Sequence, residues 1–153
     1  MSDRPELALQ LAAAITSAWR ALERAGDRAF RAFGLSRRAY LTLAAVDQGG
    51  PDGIRPSEVA AQLGVSRAAA TTFIQRLEAK GLVETTPDPE DDRGVRVTLT
   101  RRGLEVLLRA GQLERRLAAR AIEGLPASGI LRAAHLLSEY VQRIERRQIE
   151  VLK

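Results

Sequence analysis

A mainly α fold with a small β wing follows from three observations. Apolar residues recur at three- and four-residue steps over long stretches at both ends of the chain. Two shorter helical segments joined at a glycine occupy residues 56–80. Two runs of β-favouring residues follow at once, separated by the polar stretch PDPEDDRG. Together they describe a winged helix-turn-helix over 36–103, flanked by helices over 5–33 and 104–153, in a single domain spanning 1–153.

The N-terminal segment 5–33 reads as a long helix, with Leu7, Leu11, Ile15, Ala18, Trp19, Leu22, Ala25 and Phe30 in step. Gly34 is suited to stop it, and Ser36 to cap a second helix over about 37–48. That helix is expected to bury Tyr40, Leu41, Leu43 and Ala44, and the run QGGPDG ends it. Pro56 then suits the first turn of a third helix, where its missing N–H leaves no bond unmade. Val59, Ala60 and Leu63 form its apolar stripe. Gly64 allows a sharp turn, Val65 plugs it, and Ser66 caps the next helix, about 67–80.

At ~100° per residue, Ala70, Phe73, Ile74 and Leu77 of this fourth helix share one arc, the side expected to be buried. Arg67, Ala68, Thr71, Thr72, Gln75 and Arg76 fill the opposite side. That face holds donors, acceptors and short side chains and no acid, which suits close approach to base edges in a major groove. An ordinary solvated helix face has similar composition. The glycine turn before it and the hairpin after it favour the DNA reading.

Leu82–Thr86 and Val95–Thr100 read as strands, the second alternating Val95, Val97 and Leu99 with Arg96, Thr98 and Thr100. The loop between them carries one cation, Arg93, among Asp88, Glu90, Asp91 and Asp92. An ordered tip, stiffened by local pairing of Asp91, would let Arg93 enter a minor groove, where the negative potential favours arginine. A divalent cation site among the acids is the competing reading, but the spacing of a calcium loop is absent. Beyond the wing, Thr100 can cap a helix over about 101–123, carrying Leu104, Leu107, Leu108, Leu113, Leu117, Ala121 and Ile122, and Gly124 and Pro126 end it. The last helix, about 127–151, places Ile130, Ala134, Leu137, Val141 and Ile144 on a coiled-coil-like seam; a core-facing helix would show the same spacing.

The bulk numbers agree with a globular chain: 153 residues, 45% hydrophobic, 28% charged and 4% aromatic. With no cysteine, disulfides, thiolate metal sites and thiol redox sensing are excluded. No segment approaches the ~20 apolar residues of a membrane span, and MSDRPELALQ lacks the basic start of a secretion signal. A soluble cytoplasmic protein, without a membrane partner, metal or cofactor, is the expectation. The net charge of +5 is weak evidence for nucleic acid, because of where it lies. Residues 54–103 hold eight Lys/Arg against seven Asp/Glu, and 104–153 hold nine against six.

The order of elements resembles the MarR family of bacterial transcriptional regulators over nearly the whole chain. The most specific match is the wing signature Asp91-Asp92-Arg93-Gly94-Val95-Arg96-Val97-Thr98-Leu99-Thr100, with Gly103 beyond. Ser66-Arg67, Thr71, Leu77-Glu78 and Lys80-Gly81-Leu82-Val83 fit the family's recognition-helix pattern. The resemblance implies a homodimer whose terminal helices, 5–33 and 104–153, serve dimerisation. It implies a palindromic operator in double-stranded DNA, with the recognition face at Ser66, Arg67, Thr71, Thr72, Gln75 and Arg76 and the wing arginine at Arg93. Asp92 stands where many members carry a basic residue, so Arg37 and Arg38, at a helix N-terminus, are candidates for the phosphate contacts. It further implies release by a small aromatic or phenolic anion. Trp19, Phe30, Phe33 and Tyr40 are candidates for its pocket, and Arg28, Arg31 or Arg37 for its carboxylate; each aromatic taken singly also suits core filling.

A repressor, less often an activator, is therefore the leading expectation. A winged-helix module that docks a protein without binding DNA is the alternative, favoured by the near-neutral charge of 54–103. Catalysis is not expected: His135 has only Ser138 and Glu139 nearby, with no oxyanion donor in view.

Overall fold

The computed structural model describes the backbone of residues 4–151 and the side chains of 4–146; the outermost ends of the expected 1–153 and 104–153 spans lie outside the described residues. Six α-helices and one hairpin are present among them: α1 (Arg4–Phe30), α2 (Arg37–Asp47), α3 (Pro56–Leu63), α4 (Arg67–Glu78), β1 (Val83–Asp88), β2 (Asp91–Leu99), α5 (Arg101–Ala121) and α6 (Ala127–Val151). The chain divides into two compact units, Met1–Arg115 and Arg116–Lys153, with the boundary inside α5.

The local stop and start signals act as their chemistry requires. Gly34 adopts φ 67° after a short 3-10 turn, and the Ser36 side chain accepts the Ala39 N–H. In the helix-turn-helix, Gly64 sits at φ 61° and Ser66 accepts the Ala69 N–H at 3.2 Å. Arg55 precedes α3, and the Glu58 carboxylate reaches back to accept its N–H at 2.8 Å.

The core of the first unit is built from Phe30, Leu43, Val46, Val59, Ala70, Ile74, Leu77, Val83, Val97 and Ala110. Two burial expectations need correction. In α2, Leu41 and Ala44 are only half-buried, whereas Thr42, Ala45 and Val46 are buried with Tyr40 and Leu43. The helix packs on several sides at once, so more than one stripe is enclosed; the Thr42 hydroxyl is satisfied by donating to the Arg38 carbonyl at 2.8 Å. In α4, Phe73 is half-buried rather than enclosed with Ala70, Ile74 and Leu77.

The hairpin is also longer than the apolar alternation suggested. The strands reach Asp88 and Asp91, so only Pro89 and Glu90 remain between them. Cross-strand pairing keeps register from Val83↔Leu99 to Pro87↔Val95 and then jumps to Asp88↔Asp91. Asp92, Arg93 and Gly94 are thus left over on β2 as a bulge. Val95, expected to face inward, is 41% exposed. At the sheet's base, Ile54 exchanges two backbone hydrogen bonds with Val97, at 3.0 and 2.9 Å, which stitches the segment before α3 to the wing.

Thr100 joins wing to α5. Its hydroxyl accepts the Gly103 N–H at 3.0 Å and donates to the Gly81 carbonyl at 2.8 Å. A Cβ at Gly103 would collide with the Leu82 carbonyl. In the second unit, α6 leaves Leu131, Leu136, Leu137, Val141 and Ile144 exposed. Among the described residues no helix is long and apolar enough to cross a membrane.

Gly103→Ala is predicted to cost about 1–3 kcal/mol through overpacking against backbone, lowering the thermal midpoint by roughly 3–10 °C. A midpoint unchanged in a circular-dichroism melt would contradict this packing.

Candidate nucleic-acid interface

The outer face of α4 is bare. Ser66, Arg67, Ala68, Thr71, Thr72, Gln75 and Arg76 are all exposed, while Ala70, Ile74 and Leu77 on the opposite side are buried. Glu78, the one acid on this helix, is turned to the wing, where its carboxylate accepts the Thr85 N–H at 3.2 Å and the Thr85 hydroxyl at 2.6 Å. The face therefore presents cations and neutral groups only.

The wing's acids are handled by two arginines that sequence reading missed. Asp88 is enclosed, its side chain 0% exposed, and Arg55 Nε approaches its Oδ2 at 2.5 Å while Arg96 Nε approaches Oδ1 at 3.1 Å. Glu90 receives the other ends of the same guanidiniums, at 3.1 Å from Arg55 and 3.0 Å from Arg96. Arg55 above all, with the Glu90 N–H and then Arg96, holds the Asp88 carboxyl well below the usual carboxylate range. Two of the four acids expected to crowd Arg93 are thereby accounted for: Asp88 and Glu90 pair with Arg55 and Arg96 instead. Arg96 faces the acids across the hairpin, a pairing that alternation could have suggested. Arg55 lies 33 residues away from Asp88, and no local pattern marks it.

Arg93 lies within the bulge of β2 rather than at the turn. Asp91 accepts its backbone N–H at 3.0 Å, so Asp91 does pair locally. The Arg93 side chain is exposed, with no ion-pair partner among the described residues.

Arg37 is engaged within the fold. Its stem lies against Gly26 of α1, where an added Cβ would meet it at 2.7 Å. Its guanidinium turns inward to Glu114 at 3.2 Å and Glu23 at 3.9 Å, leaving the side chain 15% exposed. There it faces two carboxylates of the same fold. Arg38 points elsewhere: with Ser36, Phe73, Arg76, Leu77 and Lys80 it lines a groove of about 650 Å³ between α2 and α4. Three cations rim an apolar floor in that groove.

The four aromatics expected to line a ligand pocket differ in their surroundings. Phe30 and Tyr40 stack within the core, ring centroids 4.5 Å apart. Burial, and then the neighbouring Glu114 carboxylate, push the Tyr40 hydroxyl up to about 12. Phe33 is half-buried beneath the Arg109 guanidinium, 5.7 Å from its centroid, and Trp19 is 46% exposed on α1. In the second unit the Ser138 hydroxyl donates to the Ala134 carbonyl at 3.0 Å, back along its own helix.

Because Asp88 has a depressed folded-state pKa, its contribution to stability is complete above the ordinary aspartate value of ~3.9 and fades as pH falls through the folded value. Asp88→Asn is therefore predicted to lower the thermal midpoint at pH 7. The gap to the unmodified protein should narrow on going to pH 3. A gap that does not change with pH would show that the ion pairs contribute nothing.

Comparison with known proteins places this geometry. Residues 33–94 match the family model described as MarR family. The transcriptional regulator PecS of Dickeya dadantii is 30% identical over 112 residues, covering 71% of this chain and 68% of that protein. The transcriptional repressor IacR of Pseudomonas putida is 29% identical over 89 residues, 58% of this chain; the match spans about half of that protein, 53%. A mutant MarR from E. coli crystallised with operator DNA superposes with a TM-score of 0.80 at 26% identity, over 91% of this chain and 99% of that one. The winged helix-turn-helix, its hairpin and these relatives together establish that the chain belongs to the MarR family.

Proposed function

We propose that this protein is a sequence-specific DNA-binding transcriptional regulator, a repressor, acting as a homodimer on a palindromic operator. The observation that carries the reading is the acid-free outer face of α4, exposed from Ser66 to Arg76 and rigidly backed by core. A helix held this way presents side chains to base edges in a major groove. The fold shared with a relative crystallised on operator DNA supports it. Arg67, Arg76 and Arg38 supply positive charge at the helix margins, and Arg93 projects from the wing toward a minor groove.

Dimerisation is supported by apolar surface that a monomer rarely leaves bare. Leu7, Trp19 and Leu22 on α1 are 46–51% exposed, and Leu131 and Leu136 on α6 reach 70% and 62%. Two copies related by a two-fold axis would meet a palindromic site. For the effector, the groove lined by Arg38, Phe73, Arg76 and Lys80 suits a small aromatic or phenolic anion better than Phe30 and Tyr40, which are stacked in the core. A carboxylate held there would occupy Arg76 and compete with DNA.

Electrophoretic mobility shift with duplexes enriched from a random library tests the reading. Affinity should fall steeply with salt, as phosphate contacts require. Arg93→Ala should weaken binding several-fold while the thermal midpoint stays put. Unchanged affinity would sink the wing assignment, and failure to enrich any duplex at low salt would favour a protein-docking module.

A further inference from the structure

We propose that α4 reads thymine methyl groups, so that each operator half-site centres on A·T pairs, with the helix's arginines on the phosphate backbones rather than on guanine. The inference rests on the DNA-binding reading above and adds which bases are recognised.

At ~100° per residue, Gln75 and Ala68 lie ~20° apart at the centre of the outer face, with Thr71 and Thr72 within ~60° to either side. Arg67 and Arg76 fall at its two margins, ~180° apart. The charge is therefore at the rims, where the two sugar–phosphate strands bordering a major groove would pass. Arg76 also shares its side of the helix with Arg38 and Lys80 around the α2–α4 groove. That cluster of three cations suits a phosphate, a contact that positions without specifying.

The central four are poor readers of guanine. The Thr71 hydroxyl donates its only proton to the Arg67 carbonyl at 2.9 Å, and the Thr72 hydroxyl gives its proton to the Ala68 carbonyl at 3.0 Å. Each threonine then offers a methyl group and lone pairs, but no donor. Guanine presents only acceptors, N7 and O6, in the major groove, so these threonines have nothing to give it. Ala68 carries a methyl alone. Gln75 combines donor and acceptor in one amide, the match for adenine N6 and N7. Three methyl-bearing side chains around one glutamine fit the C5-methyl of thymine beside a read adenine.

The test selects duplexes from a random library with the full chain, then replaces thymines in the best duplex by uracil, one at a time. Uracil keeps every hydrogen-bonding group and lacks only the methyl. The expected half-site is A·T at its centre, and uracil there weakens binding about fourfold per lost methyl contact. In a Thr72→Ser protein, which keeps the hydroxyl but not the methyl, the penalty at one position should shrink. A tightly bound duplex indifferent to uracil, or one with G·C pairs at its centre, overturns the methyl readout and leaves DNA binding intact. Failure to select any duplex overturns the DNA-binding reading beneath it.

Discussion

Asp88 is the point on which the winged lobe turns. An enclosed carboxylate is stable only beside compensating charge and donors, and here those come from two directions. Arg96 belongs to the wing, and Arg55 to the residue that introduces α3. The ion cluster therefore joins the hairpin to the helix-turn-helix. One residue away on each side, Ile54 and Val97 make the same junction with backbone hydrogen bonds. A recognition helix and a wing that must meet one duplex need a fixed mutual position, and these paired links supply it.

The same cluster explains why bulk charge is a weak guide here. Eight Lys/Arg and seven Asp/Glu over 54–103 suggest a surface with little preference for an anion. In three dimensions four of those seven acids are held by partners in different ways. Glu58 accepts a backbone N–H, Glu78 accepts from Thr85, and Asp88 and Glu90 engage Arg55 and Arg96. Arg67, Arg76 and Arg93 have no such partners among the described residues. Fixed geometry separates the signs that composition averages together.

Features set by local chemistry were legible in the residues themselves. Gly64 at positive φ, Ser66 and Ser36 as caps, Thr100 at the start of α5 and the two-faced character of α4 all depend on neighbours within four positions. Features set by distant partners were not. Nothing near Arg37 indicates that it faces Glu114, 77 residues on, instead of solvent. Phe30 and Tyr40 could as well line a pocket as stack in a core until α1 and α2 are brought together. The strands run past their apolar alternation because a two-stranded hairpin tolerates Pro87 and exposed acids on its outer edges.

The central claim is that Gln75, in the middle of the exposed α4 face, lies over bases in a major groove when the protein is bound. The chain has no cysteine, so Gln75→Cys can carry a photo-crosslinker at a unique place, with a duplex of unselected sequence as the control. At saturating protein, crosslinks from position 75 to bases of the operator half-site are predicted, in excess over those to the control duplex. A saturated operator complex with no crosslink from position 75 to a base would contradict it.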